Sequence, residues 1–174
     1  NGMNRYPDPM QLKLKKRLAE AKHLAIDQIF LGNGSDDVLN QLMIAFCAPG
    51  KDKAVLLPPT FGMYQVCANI NGVETIEVPL TDDFHLDIKA ISEVQSKATK
   101  IIFIANPNNP TGNCFALEDI RKIIEEFDGL VVVDEAYVEF ATNKSVISWI
   151  NDYHNLIVVQ TFSKAQGLAG LRLG

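Results

Sequence analysis

The sequence predicts an α/β fold built on a mainly parallel sheet sandwiched by helices. Three observations predict it. Short apolar runs alternate with helical patterns along the whole chain. Most of those runs are continuously apolar, which marks strands covered on both faces. Polar or conformationally special residues follow the runs, as expected where the carboxyl ends of parallel strands share one edge.

The elements follow in order. Residues 10–24 place Leu12, Leu14, Leu18 and Ala21 at helical spacing, and the basic face from Lys13 to Arg17 reads as solvated. Residues 29–31 make a short strand candidate. Ser35 is placed to cap a helix, with Asp36 and Asp37 in its first turn and Val38, Leu39, Leu42, Met43 and Phe46 behind. A strand is expected over 54–57, a helix over 61–71 closed by Gly72, and a strand over 73–78. Asp87 caps a helix that runs to about residue 95. Residues 101–105, 130–133 and 156–159 are buried strands, and an amphipathic helix occupies 117–127. No fixed repeat, low-complexity stretch or linker interrupts the pattern, so 1–174 reads as one domain. The chain opens inside a turn at Asn4-Arg5-Tyr6-Pro7 and stops at Gly174, where another strand is expected, so it reads as part of a longer protein.

Composition narrows the class. The 174 residues are 47% hydrophobic, enough for one core. A net charge of -5 argues against nucleic acid or an anionic membrane as partner. No apolar run reaches the roughly 18 residues a bilayer span needs, and no signal peptide opens the chain. Cys47, Cys67 and Cys114 read as small core residues, and the whole as a soluble, cytoplasmic enzyme.

Several chemistries fall away. The acidic strand end at Asp134-Glu135 resembles that of a P-loop ATPase, but Gly50-Lys51 is followed by Asp52 and has Ala45 where the first glycine belongs. Gly32-x-Gly34 lacks the third glycine of a dinucleotide site, having Asp37 instead. His23, His85 and His154 are far apart and no C-x-x-C is present, so no metal site is expected. There is no G-x-S-x-G nucleophile elbow.

What remains is the set of segments after the strands. Pro59-Thr60-Phe61-Gly62-Met63-Tyr64, Asn108-Asn109-Pro110-Thr111-Gly112, Asp134-Glu135-Ala136-Tyr137 and Thr161-Phe162-Ser163-Lys164, continuing to Gly167-Leu168-Ala169-Gly170-Leu171-Arg172, lie in one order along the chain. Together with Asn4-Arg5-Tyr6-Pro7 they resemble the fold-type I, class-II-like aminotransferases, specifically the histidinol-phosphate aminotransferase family. The resemblance implies the large pyridoxal 5′-phosphate (PLP) binding domain, truncated at both ends. It implies a homodimer and amino-acid and keto-acid substrates.

It also implies residue roles. Lys164 would bind the cofactor covalently and shuttle the substrate's Cα proton. Asp134 would hold the pyridine nitrogen protonated. Asn109 and Tyr137 would hydrogen-bond the phenolic oxygen, and Phe61 would stack on the ring. The backbone of Ser35 and Asp36, the hydroxyls of Thr161 and Ser163, and Arg172 would hold the phosphate. The side chains of Asp36 and Asp37 are then expected to point away. Tyr6 would reach the partner subunit's phosphate. Plainer readings stand beside these: Ser35 as a simple cap, Phe61 and Tyr137 as core aromatics, Asn109 as a turn former, Tyr6 packed on its own chain. Glu135 is given no catalytic role. Gln166 stands where the family has a bulky residue, and Asp37 where it has Glu. The implied reaction is glutamate with imidazole acetol phosphate, giving histidinol phosphate and 2-oxoglutarate, a step of histidine biosynthesis. The alternatives are a threonine-phosphate decarboxylase, an aromatic amino-acid aminotransferase, or a non-catalytic binding protein of the same fold.

Overall fold

Five apolar segments pair into one parallel sheet in the computed structural model, which describes residues 4–174. They are β1 (Lys53–Leu56), β2 (Glu74–Glu77), β3 (Thr99–Ala105), β4 (Leu130–Asp134) and β5 (Leu156–Val159), in the order β2-β1-β3-β4-β5. Parallel neighbours need crossover connections, and helices supply several of them. The helices are α1 (Leu12–Lys22), α2 (Ser35–Phe46), α3 (Met63–Ile70), α4 (Ile88–Glu93) and α5 (Leu117–Glu126). From β1 the chain steps outward to β2, crosses back to β3, and then proceeds to β4 and β5. Strands β1 and β3 are therefore neighbours whose connections leave in opposite directions, the arrangement that opens a crevice beyond their carboxyl ends.

Both faces of the sheet are covered, as the continuous apolar runs require. One face packs Val55, Ile102, Ile104, Val131 and Val133 against Ile91 of α4 and Ile120, Ile123 and Ile124 of α5. The other packs Ala54, Leu56, Ile101, Phe103 and Val132 against Leu39 and Met43 of α2 and Tyr64, Cys67 and Ala68 of α3. Every residue from Ile101 to Ile104 is fully buried, so β3 is the centre of the molecule.

Some expectations need correction. Residues 29–31 form no strand: a 3-10 turn over Ile26–Gln28 precedes them and no ladder partner lies beside them among the described residues. Pairing starts just afterwards, where Asn33 bridges Leu173 in antiparallel sense and the Gly32 N–H donates to the Gly174 carbonyl at 2.9 Å. Ser35 is not the cap of α2 but its first residue. The cap is Gly34 at φ 85, a conformation that side chains other than glycine's rarely tolerate. Helix α3 begins at Met63, two residues later than expected, and α4 ends at Glu93, although Asp87 caps it as expected by accepting from the Ala90 N–H at 2.9 Å. Cys47 and Cys67 are buried, whereas Cys114 is half-buried. Among the described residues no helix is long and apolar enough to cross a membrane.

The turn into β4 is sterically closed. A Cβ on Gly129 would lie 2.5 Å from the Lys100 carbonyl oxygen and 2.9 Å from its carbon, and backbone cannot swing aside as a side-chain tip can. Gly129→Ala is expected to lower the unfolding free energy by about 1–3 kcal/mol, measured by chemical denaturation; an unchanged midpoint would mean the turn relaxes freely.

Candidate active site

The carboxyl edge of the sheet gathers the predicted residues. All of them except Tyr6 line one cavity of about 200 Å³: Ser35 and Asp36 from α2, Phe61 after β1, Asn109 after β3, Asp134 and Tyr137 at the end of β4, and Thr161, Ser163, Lys164 and Arg172 after β5. A larger hollow of about 440 Å³ lies elsewhere, between α2 and the edge of β5, and its lining is mostly apolar. The titratable and cationic groups converge in the smaller one.

Asp134 is the last residue of β4 and is 4% exposed, directly after three fully buried valines. Its Oδ1 accepts from the Ala136 N–H at 3.0 Å and its Oδ2 from the Tyr64 hydroxyl at 2.9 Å. Burial pushes its carboxyl up from 3.8 to about 6. The bonds from Tyr64 and Ala136 pull the other way, and the carboxylates of Asp36 and Glu135 add to the rise. Burial also raises the Tyr64 phenol well above its ordinary value, helped by Asp134, so the phenol stays protonated and is the donor.

Glu135 points away from the cavity. It accepts from the Ser145 hydroxyl at 2.6 Å, the Val146 N–H at 2.7 Å and the Gln160 amide at 2.8 Å. That buried clamp ties the exits of β4 and β5 together, a structural role.

Lys164 projects from a turn that the Gly167 N–H closes onto the Lys164 carbonyl at 2.9 Å. Its Nζ lies 5.2 Å from the centroid of the half-buried Tyr137 ring. The Thr161 hydroxyl donates to Ser163 Oγ at 3.1 Å and accepts from the Ser163 N–H at 3.2 Å, which holds Ser163 toward the cavity. Arg172 lies against the bare backbone of Gly34: a Cβ there would sit 2.5 Å from its Nη2. The first-turn N–H groups of α2, which have no intrahelical acceptor, thus lie beside a guanidinium and two hydroxyls. Asp37 turns away as expected, accepting from the Asn33 N–H at 2.9 Å. Asp36 does not: its Oδ2 is 4.0 Å from Arg172 Nη2.

Two site residues escaped the sequence reading. One is Tyr64. The other is Asn108, 3% exposed, whose amide donates to the Pro59 carbonyl at 2.9 Å and to the Thr111 hydroxyl at 2.6 Å, and so locks the loops after β1 and β3. Tyr6 is fully exposed and lies outside this cavity.

A parallel-sheet crevice that gathers a buried acid, a lysine and a guanidinium at its carboxyl edge is the setting of an enzyme of the α/β class. The chain belongs to the aminotransferase class I and II family, whose model matches residues 1–174. It is 54% identical to the histidinol-phosphate aminotransferase of Christiangramia forsetii over 174 residues, covering 100% of this chain and 50% of that one. The crystal structure of histidinol-phosphate aminotransferase from Sinorhizobium meliloti in complex with pyridoxal-5′-phosphate superposes with a TM-score of 0.87 at 28% identity, over 97% of this chain and 47% of that one. L-threonine-O-3-phosphate decarboxylase from Porphyromonas gingivalis superposes at 0.84 with 26% identity, over 98% and 53%. The chain thus spans about half the length of the curated relatives it matches.

A carboxyl raised by folding carries a definite pH signature. Asp134's contribution to stability is fully present below about pH 4 and is lost as pH rises through about 6, because the ionised form is the one burial penalises. In cofactor-free protein, the stability of Asp134→Asn relative to wild type should therefore rise by about 3 kcal/mol between about pH 4 and pH 8. A pH-independent difference would show that Asp134 titrates normally.

Proposed function

We propose that this chain is the large, PLP-binding domain of an aminotransferase, and that the whole protein is a histidinol-phosphate aminotransferase. It would transfer the amine of glutamate to imidazole acetol phosphate, in histidine biosynthesis, as a cytoplasmic homodimer. The 54% identity to the Christiangramia forsetii enzyme supports the substrate. The observation that carries the reading is the single cavity joining Asp134, Lys164, Asn109 and Arg172.

The donor set fits the cofactor. A pyridinium nitrogen calls for a buried carboxylate, a phosphate for backbone N–H groups, hydroxyls and a guanidinium, and an aldehyde for a lysine amine; each lines the one cavity. When bound, PLP supplies a ring that accepts the electron pair released at the substrate's Cα. Lys164 would hold the aldehyde carbon through its amine nitrogen, the carbonyl oxygen leaving as water, and its amine, once displaced by the substrate's, would move the Cα proton. Asp134 keeps the ring nitrogen protonated; a cation there in turn favours the ionised carboxylate that burial alone disfavours. Asn109 and Tyr137 would donate to the phenolic oxygen, and Phe61, half-buried in the cavity lining, would stack on the ring. The α2 first turn at Ser35 and Asp36, with Thr161, Ser163 and Arg172, holds the phosphate. Tyr6, fully exposed in this chain, would reach the partner subunit's phosphate. The decarboxylase reading rests on the Porphyromonas gingivalis likeness. Assays of the whole protein with histidinol phosphate and with threonine phosphate separate the two.

Borohydride treatment of the PLP-loaded protein should fix the cofactor on Lys164, located by peptide mass mapping. An adduct on any other lysine overturns the assignment. For the shared site, mixing inactive Lys164→Ala with inactive Tyr6→Ala protein should restore part of the activity through hybrid dimers. No recovery despite measured subunit exchange would place Tyr6 outside the site.

A further inference from the structure

The Tyr64 side chain is fully buried in α3, yet carries a polar atom into the core. A buried hydroxyl costs free energy unless it is hydrogen-bonded. Among the described residues its partner is Asp134 Oδ2, at 2.9 Å, seventy positions away in sequence. The opposite carboxylate oxygen is held by the Ala136 N–H at 3.0 Å, so the two bonds together stop the carboxylate from rotating. The ring is fixed as firmly as the hydroxyl. It stacks on Phe103 of β3, with centroids 4.8 Å apart and planes 14° apart. It meets the Phe61 ring in an edge-to-face contact, with centroids 5.6 Å apart and planes at 87°.

We propose that Tyr64 is a positioning residue that sets the orientation of the Asp134 carboxylate and the placement of the Phe61 ring in the same cavity. The inference deepens the reading of Asp134 and Phe61 as cofactor contacts and rests on it for its functional consequence. The two parts of the side chain act separately. The hydroxyl holds the acid, and the ring, braced on the immobile centre of β3, holds the stacking aromatic. The Tyr64 hydrogen bond also favours the ionised carboxylate, against the burial that opposes it. The other groups that face Asp134 are Asp36 from α2 and Glu135 from the exit of β4, both raising its titration. Tyr137, Lys164 and Arg172 share its cavity from the segments after β4 and β5.

The test is Tyr64→Phe in the whole protein, which keeps the ring and removes only the hydroxyl. Cofactor-free protein labelled with 13C-aspartate is titrated by isotope-edited infrared spectroscopy, and the Asp134 band is identified by its loss in Asp134→Asn. The midpoint of the Asp134 carboxyl should rise by about one pH unit, the worth of one hydrogen bond to a charged acceptor. An unchanged midpoint overturns the proposal. In the PLP-loaded protein, kcat for the glutamate half-reaction should fall about tenfold while KM changes less than about twofold. A loss confined to KM, or none, overturns the functional part. Should wild-type protein bind no PLP, the reading of the site fails, and the infrared titration still decides the positioning. If Tyr64→Phe does not fold by circular dichroism, 3-fluorotyrosine at position 64 keeps the shape and strengthens the donor. The midpoint must then fall, and an unmoved midpoint again overturns the proposal.

Discussion

A carboxylate held almost out of water at the end of a central strand is the constraint around which this structure is arranged. Asp134 pays a desolvation penalty that its hydrogen bonds do not fully offset, as its titration near 6 indicates. Such a group persists only where something offsets the penalty. Two donors do part of it from within the chain, and on the proposed reading a bound pyridinium does the rest. The parallel sheet makes the position available: β4 is flanked by β3 and β5, covered on both faces, and delivers its last residue to the edge where the other loops converge.

That edge would be a loose collection of loops without polar locks beneath it. Asn108 ties the loop after β3 to Pro59 and Thr111, so Asn109 emerges from a fixed base. Glu135 ties the exits of β4 and β5, so Lys164 emerges four residues beyond Gln160, an anchored residue. Both locks are buried side chains with every polar atom bonded, the condition under which buried polarity rigidifies instead of destabilising. On the proposed reading, Asn109 and Asp134 beside the cavity are specialised for the ligand, while Asn108 and Glu135 next to them are structural. Adjacent pairs Asn108-Asn109 and Asp134-Glu135 divide the two tasks.

The same distinction explains what the sequence revealed. Buried strands announce themselves by continuous apolar runs, so β3, β4 and β5 were placed nearly to the residue. Asp134 and Lys164 follow such runs, and topology alone puts them on one edge. The strand expected at 29–31 failed because an extended run becomes a strand only with a neighbour, and the run itself says nothing of where Leu173 lies. The cap on α2 shifted to Gly34 because backbone conformation, not side-chain type, decides it there. Tyr64 fits a helical core pattern whether its hydroxyl is bonded or not. Its importance is a contact across seventy positions, invisible to any local spacing.

Charge balance gives the last step. The cavity presents Lys164 and Arg172 against Asp134 and Asp36, so without a ligand its formal charges nearly cancel. The two carboxylates are not equivalent. Asp134 is locked by two hydrogen bonds and cannot leave. Asp36 meets Arg172 only at 4.0 Å, with both side chains nearly half exposed, a pairing of the kind that contributes little. A phosphate offering oxygens to the guanidinium and to the α2 N–H groups would form shorter, bidentate bonds and would outcompete it at small cost. On the proposed reading, one end of the cavity is therefore rigid and matched to a ring cation. The other is weakly paired and open to an anion. On that reading, a ligand carrying both charges has one favoured orientation in the cavity.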